Sequence, residues 1–378
     1  MTEHDLLVPF TRPSINTEVI NEYARLAKTA LESGRITAGQ YVRDFEKRIQ
    51  KRLDVKYVIA VNSGTAALHA AVRTLNLNQG DDILVTADTF VSSANAIVYE
   101  GLKPRFVDVD AHTFNISPES LIERITPRSK AVMVVHLGGV PCDMKAILSI
   151  ARDLHLAVVE DAAQAFGATY HGKLCGTFGE AGAISFDHAK LITTAEGGAV
   201  LTNRGRVASE ARKFSNLGRT RLGYEAVDSI GYNYRLSELH AALGLVSEKR
   251  YEGNLRNRIS AGRRYRSLLS KLDWVDMQGL DSQTEPSYHA TIIRLKKDAP
   301  VTRNLLMKKL ANKGIGTSIL FKPVHLQPVY RQMLGDTKGT CPNAEQLGES
   351  GLALPMFNDI TAAQVDNVVK AMEQIARE

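Results

Sequence analysis

From residue 57 onward, short apolar runs rich in Val and Ile alternate with longer segments whose apolar positions recur every three or four residues. The short runs are YVIAV (57–61), DILVT (82–86), PRFVDVD (104–110), KAVMVVHLGG (130–139), HLAVVED (155–161) and AGAISF (181–186). Between them lie helical patterns over SGTAALHAAVRTL (63–75) and SSANAIVYEG (92–101), and near PESLIERI (118–125) and MKAILSIARDL (144–154). Strands this apolar need helices on both faces, which predicts an α/β domain with a largely parallel sheet.

From about residue 237 the pattern changes. SELHAALGLVSEKRYEGNLRNRISAGRRYRSLLSKL (237–272) reads as one long helix interrupted only by single glycines. A strand at ATIIRL (290–295), a helix at TRNLLMKKLANKG (302–314), a loop around KPVHLQP (322–328) and a helix at TAAQVDNVVKAMEQIAR (361–377) follow. This mixture predicts a smaller α+β domain, with the long helix as the joint: residues 1–245 for the first unit and 246–378 for the second. A length of 378 residues fits two such units.

Composition narrows the function classes. Hydrophobic residues make up 44% and charged residues 23%, ordinary values for a globular chain. A formal net charge of +6 raises nucleic acid as a partner, but no basic tract with interleaved aromatics supports it. The densest basic stretch, EKRYEGNLRNRISAGRRYRSLL (248–269), reads as a solvated helix face. A modest positive excess suits a small anionic substrate. Cys142, Cys175 and Cys341 have neither disulfide-framework nor metal-ligand spacing, so no metal is assigned and a reducing compartment is expected. The N-terminus lacks a signal-peptide pattern, and no apolar run approaches the roughly 20 residues that span a bilayer. A cytoplasmic location, away from membranes, is the expectation.

Candidate chemistry lies at strand ends. Ser63, Gly64 and Thr65 stand where a strand gives way to a helix, and a helix N-terminus can hold a phosphate; they could equally be an ordinary cap. Asp161 closes an apolar strand, where open α/β sheets place their sites, while Glu160 points to the other face. Asp161 could instead cap a helix starting at Ala162, from which Gln164 would reach the same pocket one turn on. His136, after another apolar strand, reads as a packed strand-end residue. Lys190 lies between an apolar run and a Gly-Gly turn, and a lysine that attacks carbonyls needs an enclosed site to lower its pKa. A phosphate holder, a carboxylate for a ring nitrogen and an amine for an aldehyde are together the parts pyridoxal phosphate needs.

Seven segments in this order resemble the pyridoxal-phosphate sugar aminotransferases of the DegT/StrS group, on the fold-type I aspartate-aminotransferase scaffold: SGTAALHAA, ADTFVSSANAIVYEGLKPRFVDVD, VEDAAQAFGA, SFDHAKLITTAEGGAVLTN, GYNYRLSELHAALG, KPVHLQPVY and LALPMF. The resemblance covers nearly the whole chain. It implies that Lys190 is the Schiff-base lysine, that Asp161 pairs with the pyridine nitrogen and that Gln164 lies near the ring hydroxyl. It places Phe90 on the ring face and Gly64, Thr65 and Ser185 in the phosphate cradle. Asn233 matches an asparagine that reaches the phosphate of the neighbouring subunit, so a homodimer with shared active sites is implied. His325 matches a loop near the sugar. Asp187 and His188 depart from the family pattern, and a role in sugar specificity is the functional reading of that pair.

The reaction implied is transfer of an amino group from an amino acid, L-glutamate above all, to a nucleotide-linked keto-sugar in polysaccharide or antibiotic biosynthesis. Alternatives on the same scaffold are a sugar dehydratase, which places histidine at the lysine position, and a keto-cyclitol aminotransferase. A nicotinamide-binding Rossmann protein is disfavoured, since no G-x-G-x-x-G follows the early strands.

Overall fold

Each apolar run of the first half becomes a strand because helices cover it on both sides. The computed structural model describes residues 7–220, 227, 229–319 and 321–378. In chain order the strands are β1 (Tyr57–Val61), β2 (Asp82–Thr86), β3 (Lys103–Val107), β4 (Ser129–Val135), β5 (Ala157–Asp161), β6 (Thr169–Tyr170), β7 (Lys173–Leu174), β8 (Ala181–Ser185), β9 (Gly198–Thr202), β10 (Val275–Met277), β11 (Thr284–Glu285), β12 (Thr291–Leu295) and β13 (Gly351–Leu354).

A seven-stranded sheet has the order β1-β9-β8-β5-β4-β2-β3. Only β9 runs against the rest, pairing antiparallel with β1 and β8, while β8, β5, β4, β2 and β3 pair parallel in turn. This is the largely parallel α/β sheet expected. The fold has a consequence for chemistry: β1, β2, β5 and β8 all end on one edge, the edge where such sheets hold ligands. Ser63, Phe90, Asp161 and Ser185 follow or close those strands. β9 is not among the runs read above; GAVLT follows two glycines and looks like the tail of a turn. Its reversal folds the Lys190 connection back across the site.

A second sheet, β10-β12-β13, builds its own core with the helices Tyr251–Leu269, Arg303–Asn312 and Ala362–Arg377. Val8, from the segment assigned to the first unit, sits in this second core; its N–H donates to Gly314 O at 3.0 Å. Two N-terminal helices not anticipated above, Thr17–Glu32 and Gln40–Leu53, pack on the helix Glu238–Glu248. Glu238 caps the second of them, its carboxylate accepting from Gly39, Tyr41 and Val42 N–H at 2.8, 2.8 and 3.1 Å. A carboxylate there satisfies orphan donors and meets the positive end of the helix dipole.

The single long helix expected at 237–272 is instead two helices, Glu238–Glu248 and Tyr251–Leu269, broken at Lys249 and Arg250. The glycines do not break it: Gly244, Gly253 and Gly262 are all inside helices. Gly262 is there for space, since a Cβ would overlap the buried ring of Tyr288. Gly262→Ala would gain about 1 kcal/mol in helix propensity and lose about 1–3 kcal/mol to overpacking. We expect net destabilisation of up to about 2 kcal/mol, read from the denaturant midpoint; a more stable variant would contradict the packing account.

The basic stretch 248–269 is only partly the solvated face expected. Arg263 and Arg264 do reach outward, to Glu285 and Asp366. Tyr251, Asn254, Arg258, Ala261, Tyr265 and Leu269, however, form a buried stripe with helical spacing. Arg258 therefore belongs to the interior. Among the described residues, no helix is long and apolar enough to cross a membrane.

Candidate active site

A cavity of about 390 Å³ opens at the C-terminal edge of the parallel strands. It brings together Gly64, Thr65, Phe90, Asp161, Gln164, Ser185 and Lys190, with Asp187 beside them. Asn233, His188 and His325 do not line it.

The helix Gly64–Arg73 points its N-terminus at this cavity's wall. Ser63 Oγ accepts from Ala66 N–H at 3.0 Å and Ser63 O from Ala67 N–H at 3.1 Å. Among the described residues, the N–H groups of Gly64 and Thr65, two of those a helix cannot pair internally, have no backbone partner. Both residues line the cavity, as does Ser185, and a Cβ on Gly64 would come within 2.9 Å of Ser185 Cβ. Thr65 Oγ1 lies 2.7 Å from Ser92 Oγ, which fixes its hydroxyl. Two open N–H groups, two hydroxyls and a positive dipole end, crowded so that only glycine fits, form an anion cradle.

Asp161 ends β5, next to this cradle in the lining. No helix begins at Ala162; the chain turns, with Ala163 N–H donating to Asp161 Oδ1 at 3.1 Å. Ser93 Oγ donates to Oδ2 at 2.6 Å. Burial raises the carboxyl above its ordinary range, against the pull of Ser93, Ala163 and the positive charge of Lys190. A buried carboxylate of this kind is most stable beside a cationic N–H. Glu160 faces the other way, accepting from Gly176, Phe178 and Gly179 N–H at 2.7, 2.6 and 2.8 Å. His136, buried, lies 3.2 Å from the same carboxylate and accepts from Cys142 N–H at 3.0 Å, so it is a packed strand-end residue.

Lys190 lies in the connection from β8 to β9, where its N–H donates to Asp187 O at 3.0 Å. Burial drives the amine down to about 8, with Arg258 adding to the effect and the carboxylates of Asp187 and Asp161 opposing it. Such an amine is partly free of its proton at neutral pH. Phe90 caps the helix Val91–Tyr99 and is 56% exposed, its ring 6.0 Å from that of Phe321. Gln164 spends its side-chain oxygen on Gly138 N–H at 2.7 Å, leaving its amide nitrogen available.

The remaining predicted residues lie elsewhere. Asn233 is exposed, with its backbone O accepting from Asn62 Nδ2 at 3.4 Å. His188 turns to solvent, 60% exposed, with Nδ1 2.9 Å from Asp187 Oδ2. His325 is fully buried; Nε2 lies 3.0 Å from Glu345 Oε1, and its carbonyl accepts from Thr337 Oγ1 at 2.6 Å. That is a loop-fixing role, and a substrate contact does not follow from it. Three residues around the site were not found in the sequence: Ser93, His289 and Arg258. Ser93 follows Ser92 in an unremarkable SSAN, and His289 sits in SYHAT with no motif of its own. Arg258 had a signal, its place in the buried helical stripe. All three cysteines are buried and free.

The residues present fit pyridoxal phosphate: an anion cradle whose glycine a Cβ would overfill, a buried carboxylate at the cavity wall, an amine of lowered basicity and an exposed aromatic face. The chain is an aminotransferase of the α/β class. The chain belongs to the DegT/DnrJ/EryC1/StrS aminotransferase family, whose profile matches residues 17–373. It is 34% identical to the spore coat polysaccharide biosynthesis protein SpsC of Bacillus subtilis over 382 residues, 98% of this chain and 97% of that one. GDP-perosamine synthase of Caulobacter vibrioides is 35% identical over 347 residues, covering 90% of this chain and 91% of its own. Spr1654 of Streptococcus pneumoniae, a protein assigned as a sugar aminotransferase and solved in its PLP form, superposes with a TM-score of 0.91 at 27% identity, covering 98% of each chain.

Proposed function

We propose that this chain moves an amino group from L-glutamate to a keto-sugar carried on a nucleotide, with pyridoxal phosphate as cofactor, and so makes an amino-sugar. The observation that carries the reading is the joint placement of Lys190, Asp161 and the open N-terminus at Gly64 and Thr65 in one cavity. When bound, pyridoxal phosphate supplies an aldehyde for covalent attachment of amines and a ring that takes up the electron pair left when a proton is removed.

The chain's own residues divide the remaining work. Gly64 and Thr65 N–H and the Ser185 hydroxyl hold the phosphate. Asp161 holds a proton on the ring nitrogen, and Phe90 covers one face of the ring. Lys190 Nζ would hold the cofactor's aldehyde carbon at rest and, once the donor amine has displaced it, would move the proton of the donor's α-carbon across the shared nitrogen to that aldehyde carbon, water then releasing the keto acid. An amine titrating at about 8 suits a base working near neutral pH. The same steps in reverse deliver the amino group to the keto-sugar.

A second copy of the chain completes the site in this reading, its Asn233 reaching the phosphate. The exposure of Asn233, with Val227 and Ile230 nearby at 54% and 81% exposed, supports an interface there. Lysine rather than histidine at the attachment position supports transamination over dehydration, and His188 faces solvent. Asp187, at the cavity wall, is the better candidate of that pair to touch the sugar.

The test is a panel of nucleotide-linked keto-sugars and keto-cyclitols with L-glutamate. We expect 2-oxoglutarate in step with aminated nucleotide-sugar. Deoxygenated sugar without an amine would make the chain a dehydratase, turnover of cyclitols alone would change the substrate class, and no 2-oxoglutarate with any acceptor would overturn the reading.

A further inference from the structure

Arg258 is 2% exposed on the helix Tyr251–Leu269. A guanidinium stays charged, and a buried charge ordinarily demands an opposite one. Among the described residues it bonds neutral oxygens alone: Nε donates to Asn358 Oδ1 at 2.6 Å, Nη2 to Ala189 O at 2.9 Å and Nη1 to His289 O at 3.4 Å. Among the described residues no carboxylate forms an ion pair with it. The acid that acts on it, Asp359, does so at longer range and accepts a hydrogen bond from Ser14 Oγ at 2.8 Å. Burial therefore costs this side chain, lowering its pKa to about 10. An uncharged residue would fill the stripe at less cost, so the charge itself calls for a use.

Its position supplies one. Ala189 precedes Lys190, and His289 lines the same cavity. Arg258 thus fastens both to the helix of the second core. The groups facing the amine are Asp187 on its own loop, Asp161 at the end of β5, Glu196 further along the connection, His289 before β12, and Arg258. Asp187 and Asp161 favour the ammonium form; Arg258 opposes them. His289 adds no charge at neutral pH, because burial, Lys190 and Arg258 hold its imidazole well below the ordinary range.

We propose that Arg258 is a positioning residue for Lys190, fixing the Ala189 carbonyl beside it and setting a buried positive charge against its amine. The proposal rests on the reading of Lys190 as the reacting amine.

The experiment measures arylation of Lys190 against pH in the full chain stripped of cofactor, with peptide mapping to isolate that residue. The wild-type midpoint is expected near 8. Arg258→Gln should raise it by about one pH unit, slowing labelling at pH 7 about tenfold. Arg258→Lys keeps the charge and should stay within about 0.3 units of wild type. Asn358→Asp leaves Arg258 in place and sets a carboxylate against it; the midpoint should again rise. An unchanged midpoint in Asn358→Asp, or in a folded Arg258→Gln, overturns the proposal, and Asn358→Asp decides alone if the Gln variant does not fold. Borohydride fixation of bound pyridoxal phosphate, run in parallel, judges the other reading. Attachment to a different lysine would defeat the proposed function while the midpoints still judge Arg258.

Discussion

Lys190→Ala is expected to lose at least roughly 10³-fold in kcat with L-glutamate, because the change removes both the anchoring nucleophile and the base. A positioned base alone is worth about 10²–10⁴, and in the proposed mechanism the neighbouring Asp161 is already committed to the ring nitrogen. The loss should not be a folding effect. Lys190 is held through its backbone, by Asp187 O and by the neighbouring Ala189 O, and alanine keeps both bonds. Its amine meanwhile sits where burial disfavours the charged form, so removing it relieves a cost. Melting temperature should therefore stay level or rise slightly while turnover collapses. Borohydride treatment with pyridoxal phosphate should mark Lys190 in the wild type and no residue in the variant. Retained turnover, or a mark on another lysine, would remove Lys190 from the centre of the mechanism.

How much of this was visible in the chain alone depended on whether the cause was local. The strands YVIAV, DILVT and HLAVVED are legible because double-sided burial writes continuous apolar runs. The order cradle, carboxylate, lysine is legible because each part follows a strand of that sheet. GAVLT was missed because an antiparallel strand sandwiched between β1 and β8 needs only five residues, two of them the Gly and Ala that also suit turns. The second N-terminal helix, Gln40–Leu53, depends on Glu238, some two hundred residues away, for a cap. No local reading supplies that partner.

Arg258 shows the converse error. An arginine-rich helix reads as a solvated face, and Arg263 and Arg264 obey. The stripe from Tyr251 to Leu269 was nonetheless periodic, and a charge on its apolar line was the anomaly to follow. The glycines misled in a simpler way. Gly244 and Gly262 were read as interruptions, but each marks a place where another ring, Phe45 or Tyr288, presses on the helix. His325 was carried to the site by its motif, and burial against Glu345 holds it away.

Asp161→Asn should separate function from stability in opposite directions. The amide fits the same contacts. Its oxygen can accept from Ala163 N–H, and its nitrogen can donate to Ser93 Oγ, whose own hydroxyl then turns to Phe90 O, 3.2 Å away. Both existing contacts of the side chain are kept, with one amide N–H left to face the cavity, so the fold should hold. In the cofactor-free chain the carboxyl's folded pKa is raised by burial, above its unfolded value. The folded state then binds more protons than the unfolded one, and stability falls as pH rises through that window. Above that window the wild type carries this penalty, and asparagine does not. We expect the cofactor-free variant to melt higher than the wild type at pH 7, with the difference vanishing as pH drops below the ordinary carboxylate range. Turnover should move the other way, down roughly 10²–10³-fold, because a neutral amide cannot hold a proton on the ring nitrogen as a carboxylate does. A variant that melts lower at pH 7 would contradict the burial account, and one that turns over normally would show that the charge of Asp161 is not used. The two outcomes together are what a residue kept for chemistry at the expense of the fold should give.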